Sequence, residues 1–543
     1  MSVSSNRRPP ALVAADGVTP LAAVTVRRSA HAMGMGGGAW VAANGAAPEL
    51  RDWSPMAGSP DGEAEGERPS IVARARDLER NEGLVAGAVQ SLKDQAFGLG
   101  LEFQSMPAAR VLGLTREQAR DYANRIEDLF REWADDPLAC DVTGQSTFGQ
   151  LVRAAGGNAL VSGEALALPL WLPERQAHHG SRFATVLQMV EPDRLSNPNE
   201  GLSTDILRDG VEIDEYGAPL AYHIRKAHPG DALLGWGSAS LMTWERVPAW
   251  VGTGLARRQV LHVYDKKRPD QHRGISWLAP VMVHLKQGNR YHRAELQAAV
   301  SSAAIMAVLE TPLDGQTVEG LFSDGAGMDL SQTRPGPPVS MGIGPGGYIP
   351  RLLPGEKLTG YNAGRPAAGF DGFVTSVARH VAVGLGMTYE TFMRDFSKTN
   401  YSSARASLLE GWRFTLFLRL LLATALCRPS LELVLEEAVW RGYIDLPGFM
   451  ESRAARRAWL RGVWRGPGRG WVDPVKEITA AAMRVRLGLS TLRDEAFEQG
   501  RDFDDLLDAI AAEREALAER GITLPDVEFT PAPEAPEQQP KQD

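Results

Sequence analysis

Apolar positions recur along this chain with two periods, and the shifts between them mark out its regions. From Ser70, the run IVARARDLERNEGLVAGAVQSLKDQAFG carries apolar residues at helical spacing, with Ser70 placed to cap it. Thr115 to Gln118 has the spacing of a capping box, and its helix continues through DYANRIEDLFREWADD. The pattern then turns strand-like at 158–171, 184–192, 211–224 and 259–264. The third of these stretches turns back at Glu215, Tyr216 and Gly217, which predicts a hairpin. Helical spacing resumes from Trp277 to about Leu309, with Pro280 near its start. Residues 311–365 are rich in Gly and Pro and suit short strands and turns that need a partner chain to bury their apolar residues. A helix over 370–387 follows. The polar loop Arg394–Asn400 then leads into a long helix from Ser402 to Cys427, with Ser402 and Ser403 as its caps. A further helical piece, PSLELVLEEAVWRG, and helices near 474–487 and 491–520 complete the folded part. The first 68 residues and those from about 525 onward lack either period and read as extended ends. No repeat of 20–50 residues is visible. The fold class this predicts is α+β.

Composition narrows the picture. A length of 543 residues implies about two to four domains or lobes, and 43% hydrophobic residues suffice for a sizeable core. Cys140 and Cys427 are the only cysteines, too few for a disulfide framework or a thiolate zinc cluster, and they suit a reducing cytoplasm. Arg7 and Arg8 are followed by two prolines and a short apolar run, which is not the pattern of a signal peptide. The most apolar stretch, Phe414–Cys427, is shorter than the ~20 residues of a spanning helix and is interrupted by Arg419. It reads as a buried helix, with no membrane implied.

The search for chemistry finds no catalytic residue, no metal site and no cofactor site. No G-x-x-x-x-G-K-[ST], H-E-x-x-H or G-x-S-x-G motif is present. His284 and His292 lie two helical turns apart, beyond the reach of one shared ion. Charge is more informative. The net charge is -9, yet Glu451–Gly470 holds six arginines against one glutamate, with Trp459 and Trp464 interleaved. Arg453, Arg456, Arg457, Arg461 and Arg465 are therefore candidates either for DNA phosphates or for inter-subunit anchoring. In the loop RDFSKTN, Arg394 and Lys398 can meet phosphates, while Ser397, Thr399 and Asn400 can hydrogen-bond them without reading bases.

Five segments, in order, resemble the portal proteins of lambda-type tailed phages: 74–103, 151–167, 259–282 with its Arg-Gly-x-Ser step, TNYSSARASLLEGWR at 399–413, and 466–507. The resemblance implies a structural ring, typically a dodecamer, at one capsid vertex. Double-stranded DNA would pass through it non-specifically, and terminase, the major capsid protein or a scaffold, and head-completion or adaptor proteins would dock on it. It also implies a layout: an N-terminal arm (1–68), a wing (69–276), stem helices (277–305 and 367–390) around a clip (306–366), a tunnel loop (391–401), a long wing helix and following helical region (402–471), crown helices (472–524) and a tail (525–543). Two alternatives stay open. Another virion connector or tail protein would share the structural character. A packaging enzyme would need the phosphate loop or metal-carboxylate cluster that the sequence lacks.

Overall fold

The computed structural model describes residues 52–55, 57–234, 242–304, 307–310, 357–360, 369–469, 474–501 and 503–522. The chain divides into Met1–Gly58 and Ser59–Asp543, and the described helices and strands all lie in the second unit. Most of the expected N-terminal arm and the tail from 525 lie outside the described residues.

The part of the arm that is described beyond Gly58 is folded, which corrects the boundary at 68. The Ser59 hydroxyl accepts from the Gly62 amide at 3.1 Å and starts a one-turn helix, α1 (Pro60–Ala64). Periodicity cannot reveal so short a helix. Its support is a cap plus contacts far away in sequence: Asp61 with His272, Glu63 with Arg268, and Glu65 with the Ser203 amide.

Helix α2 (Arg68–Asn81) begins before Ser70, so Ser70 sits in its first turn and is not the cap. Pro69 occupies that turn, where a missing N–H costs nothing. The continuous helix expected to Gly98 breaks at Glu82, whose backbone is extended, and restarts as α3 (Gly83–Ala96). Asn81 and Gly83 flank the break, and both are weak helix formers. Strand β1 (Glu102–Ser105) follows. The capping box at Thr115 and Gln118 forms in both directions and starts α4 (Arg116–Asp135), which buries Ile126, Leu129, Phe130 and Trp133 on one stripe.

Residues 158–161, expected as strand, complete α5 (Phe148–Val161), and the strand β2 (Glu164–Trp171) begins only after Gly163. β2 pairs antiparallel with β3 (Thr185–Val190). A meander follows: β4 (Leu207–Arg208), β5 (Val211–Ile213), β6 (Pro219–Arg225) and β7 (Trp244–Pro248). The expected hairpin is present between β5 and β6. The Asp214 carboxylate accepts from the Tyr216 and Ala218 amides, and Gly217 takes a φ of 78°. β8 (Leu261–Tyr264) then closes a three-stranded sheet in the order β8-β2-β3. β2 is apolar without alternation because both its faces are covered. Ala165 and Ala167 face the main helical core, while Leu166 and Leu168 face a second core shared with Val211, Tyr222 and Ile224 of the meander.

Trp277 precedes a short 3₁₀ turn, and the next helix, α6, runs Met282–Ala304. The stretch expected as its last turn instead forms β9 (Ala307–Glu310), paired with β10 (Lys357–Gly360) across the Gly/Pro-rich region. Residues 311–356 lie outside the described set. α7 (Phe370–Gly384) and the short α8 (Tyr389–Met393) lead to α9 (Tyr401–Leu422). A π turn over Ala423–Cys427 joins α9 to α10 (Arg428–Trp440) next to Pro429, which cannot donate a helical hydrogen bond. By length and composition alone the 402–440 run could cross a membrane. Its arginine argues for a protein environment instead. Arg419 donates to the carbonyls of Ala96, Gln95 and Pro467 at 2.6–2.8 Å, and burial pushes its guanidinium down to about 10. After α11 (Arg453–Trp459), β11 (Gly462–Arg465) pairs with β1 and ties the distal chain back to the start of the body. The helix expected over 491–520 is two helices. α12 (Pro474–Arg486) precedes α13 (Leu492–Glu498) and α14 (Phe503–Glu519), which are separated at Gly500 with φ 73°.

Candidate nucleic-acid interface

The loop between α8 and α9 is held at both ends and open in the middle. Thr388 caps α8, and Arg394 ends it in the left-handed region at φ 54°, uncommon for a residue with a side chain. That turn aims the Arg394 guanidinium at α3, where it donates to Ser91 Oγ at 2.9 Å and to the Gly87 carbonyl at 3.3 Å. Asp395 accepts from the Ser397 amide at 2.9 Å, and hydrogen bonds from the Ser397 side chain first and its amide second lower the Asp395 carboxyl below the usual range. Thr399 Oγ1 donates to the Phe396 carbonyl. Asn400, not Ser402 or Ser403, caps α9: its Oδ1 accepts from the Ser403 amide at 2.8 Å. Ser407 of α9 donates to Glu390 of α8 at 2.9 Å and fixes the angle between the two helices.

The five loop candidates therefore separate. Arg394, Thr399 and Asn400 spend their polar groups inside the chain. Ser397 and Lys398 are exposed, and the ion pair that Lys398 makes is long, 3.7 Å to Asp371, with both side chains more than three-quarters exposed. Such a pair holds little energy.

The basic segment divides in the same way. Arg456 is buried, donating to the Phe449 carbonyl at 3.2 Å and lying near Glu432 and Glu436. Arg465 is buried beside Glu102. Neither can reach DNA or a neighbouring subunit, which corrects the expectation for these two. Their tryptophan neighbours are also internal: Trp459 is 1% exposed, and Trp464 packs on Phe103, Phe130 and Phe148. Arg453, Arg457 and Arg461 remain exposed.

Sequence reasoning missed a buried ionic centre at the foot of β2. Glu164 is fully buried and accepts from Arg273 at 2.6 and 2.9 Å, from the Gly274 amide at 2.8 Å and from His262 at 2.9 Å. Burial alone would raise its carboxyl, but Arg273, His262 and Arg68 hold it well below the carboxylate range. Burial lowers the His262 imidazole, so at neutral pH this contact is a hydrogen bond from a neutral ring, whatever its ion-pair geometry. Arg273 also donates to the carbonyls of Leu195 and Pro192, and Arg68 pairs with Asp209. Gly163 and Gly274 cross here so closely that a Cβ at Gly274 would meet the Gly163 carbonyl. The centre fixes the loop that enters α6 to the sheet. Its sequence signals were a glutamate opening an otherwise apolar strand and the Arg-Gly-x-Ser step. Among the described residues, no group of three or more His, Cys, Asp or Glu side chains could hold a metal ion.

Residues 47–419 match the family model of phage portal proteins, lambda family. Portal protein B of Escherichia phage lambda is 30% identical over 511 residues, covering 92% of this chain and 91% of that protein. The portal protein of Escherichia phage N15 is 31% identical over 512 residues, with the same coverage. Among solved structures, a chain in the neck of an empty GTA particle, computed with C6 symmetry, is 15% identical with a TM-score of 0.41, covering 80% of this chain and 94% of that one. At that score the likeness decides nothing further.

Proposed function

The chain belongs to the lambda family of phage portal proteins, structural components of the virion, and from that membership we propose that its copies close into a ring, a dodecamer, through which double-stranded DNA passes. In this reading the body around β2 is the wing, α6 and α7 are the stem, β9 and β10 belong to the clip, and α12 to α14 form the crown. Residues 391–401 are the tunnel loop. Terminase and then head-completion or adaptor proteins dock on the clip. The major capsid protein or a scaffold meets the wing, and assembly takes place in the host cytoplasm.

One observation carries the loop's role. Arg394 and Asn400 pin its ends while Ser397 and Lys398 stand clear of the body. A conduit needs a segment of this kind, anchored at its start by the buried Phe392 and polar and exposed at Ser397 and Lys398. Large apolar side chains left exposed on the helices, among them Val283, Leu296, Val383 and Leu420, support contact between copies.

Negative-stain microscopy of the purified full-length protein tests the reading. The expected particle is a ring of about twelve subunits with a central channel. A stable monomer overturns the ring, and ATPase or nuclease activity in that monomer would favour a packaging enzyme.

A further inference from the structure

Helices α6 and α7 run antiparallel as a ladder. Val281, just before α6, meets Gly384, where a Cβ would collide with the valine. Gly288 faces Val377, and Tyr291 packs edge-on against Phe373 with ring centroids 4.6 Å apart. Between the first two rungs sits a polar one. The rings of His284 and His380 lie 4.3 Å apart, tilted by 44°. Both residues are exposed, and among the described residues neither ring has a hydrogen-bond or ion-pair partner. The charged groups beside them are engaged elsewhere: Lys286 lies 3.8 Å from Asp77, and Arg379 lies over the Tyr389 ring.

We propose that His284 and His380 form a two-imidazole site for a divalent transition-metal ion, Zn²⁺, Ni²⁺ or Cu²⁺, that clamps α6 to α7. Imidazole nitrogen binds zinc at about 2.0–2.1 Å, so one shared ion needs nitrogens roughly 3–3.4 Å apart. Rings with centroids 4.3 Å apart reach that spacing by turning about their Cβ–Cγ bonds. Water completes the coordination shell on the exposed side. Cu²⁺ binds most tightly in such a nitrogen site, whereas Mg²⁺ and Ca²⁺ require oxygen donors that the rung does not offer.

The test uses the full chain with His178→Ala and His179→Ala, which removes the adjacent histidine pair on another helix. One equivalent of Cu²⁺ gives an electron paramagnetic resonance spectrum with coupling to two imidazole nitrogens, and Zn²⁺ raises the thermal midpoint in a concentration-dependent way. Adding His284→Ala, or His380→Gln, reduces the coupling to one nitrogen and removes the Zn²⁺ shift. Both positions are exposed, so both variants fold. Two-nitrogen coupling that survives either substitution overturns the site. So does a starting protein that shows at most one nitrogen and no Zn²⁺ response.

Discussion

Glu164 shows how a single buried charge can organise a junction. It is anchored by Arg273, His262 and the Gly274 amide, and it has no access to water. Removing one member of such a pair strands the other, at a cost of about 3–5 kcal/mol, whereas removing both is far milder. Glu164→Gln should therefore destabilise the protein by several kcal/mol in urea unfolding, and Glu164→Leu with Arg273→Met should recover much of that loss. A double variant no better than the single one would deny the coupling. Asp61 and His272 form a second pair, one that titrates. Burial opposes the Asp61 charge, but the hydrogen bonds from His272 outweigh it and lower the carboxyl, while the same contact raises the imidazole. A lowered carboxylate contributes stability above about pH 3.9 and loses it as pH falls through the lowered value. A raised histidine contributes fully below about pH 6.5 and loses it as pH rises through the raised value. The contact is thus complete between about pH 4 and 6.5 and weakens as the pH rises through the raised His272 value. The drop in thermal midpoint caused by Asp61→Asn should be larger at pH 6 than at pH 8.5, and an equal drop at both would refute the pairing.

At the level of elements, the caps decide where helices begin. Asn400→Ala should cost about 1 kcal/mol and fray the first turn of α9, because a Ser403 donor loses its acceptor. Ser402→Ala and Ser403→Ala should change little, and hydrogen exchange of the first α9 amides reads the difference. The sequence placed this cap two or three residues too late because Asn, Ser and Ser all suit the position, and only backbone direction chooses among them. Where the local signal was unique, as in the reciprocal box of Thr115 and Gln118 or the turn at Gly217, reading and structure coincide. The discrepancies arise where the deciding contact is remote. The one-turn helix α1 is held by residues some 140 to 210 positions away, and Arg456 and Arg465 look like a basic surface until Glu436 and Glu102 are seen beside them. The histidine rung between α6 and α7 belongs to the same class, since the spacing of His284 and His292 on one helix said nothing about His380 on another.

For the whole molecule, the distribution of charge sets how DNA is handled. Each chain carries a net charge of -9, and of the two loop cations one, Arg394, is exposed but tied to α3 through Ser91 and the Gly87 carbonyl. In the proposed ring, a duplex with a negative charge every ~1.7 Å would pass subunits that are acidic overall, so weak binding without sequence preference is expected. Each phosphate contact that is lost should lower the slope of log K against log salt by about 0.9. Lys398→Ala should reduce that slope without disturbing the fold, because the side chain is solvated and its ion pair with Asp371 is long and exposed. Arg394→Ala should leave the slope unchanged and instead loosen α8 from α3, which hydrogen exchange across 389–400 would register. The reverse result, a slope that responds to Arg394 and not to Lys398, would mean that the loop turns over when DNA enters and that the anchored conformation is its resting form.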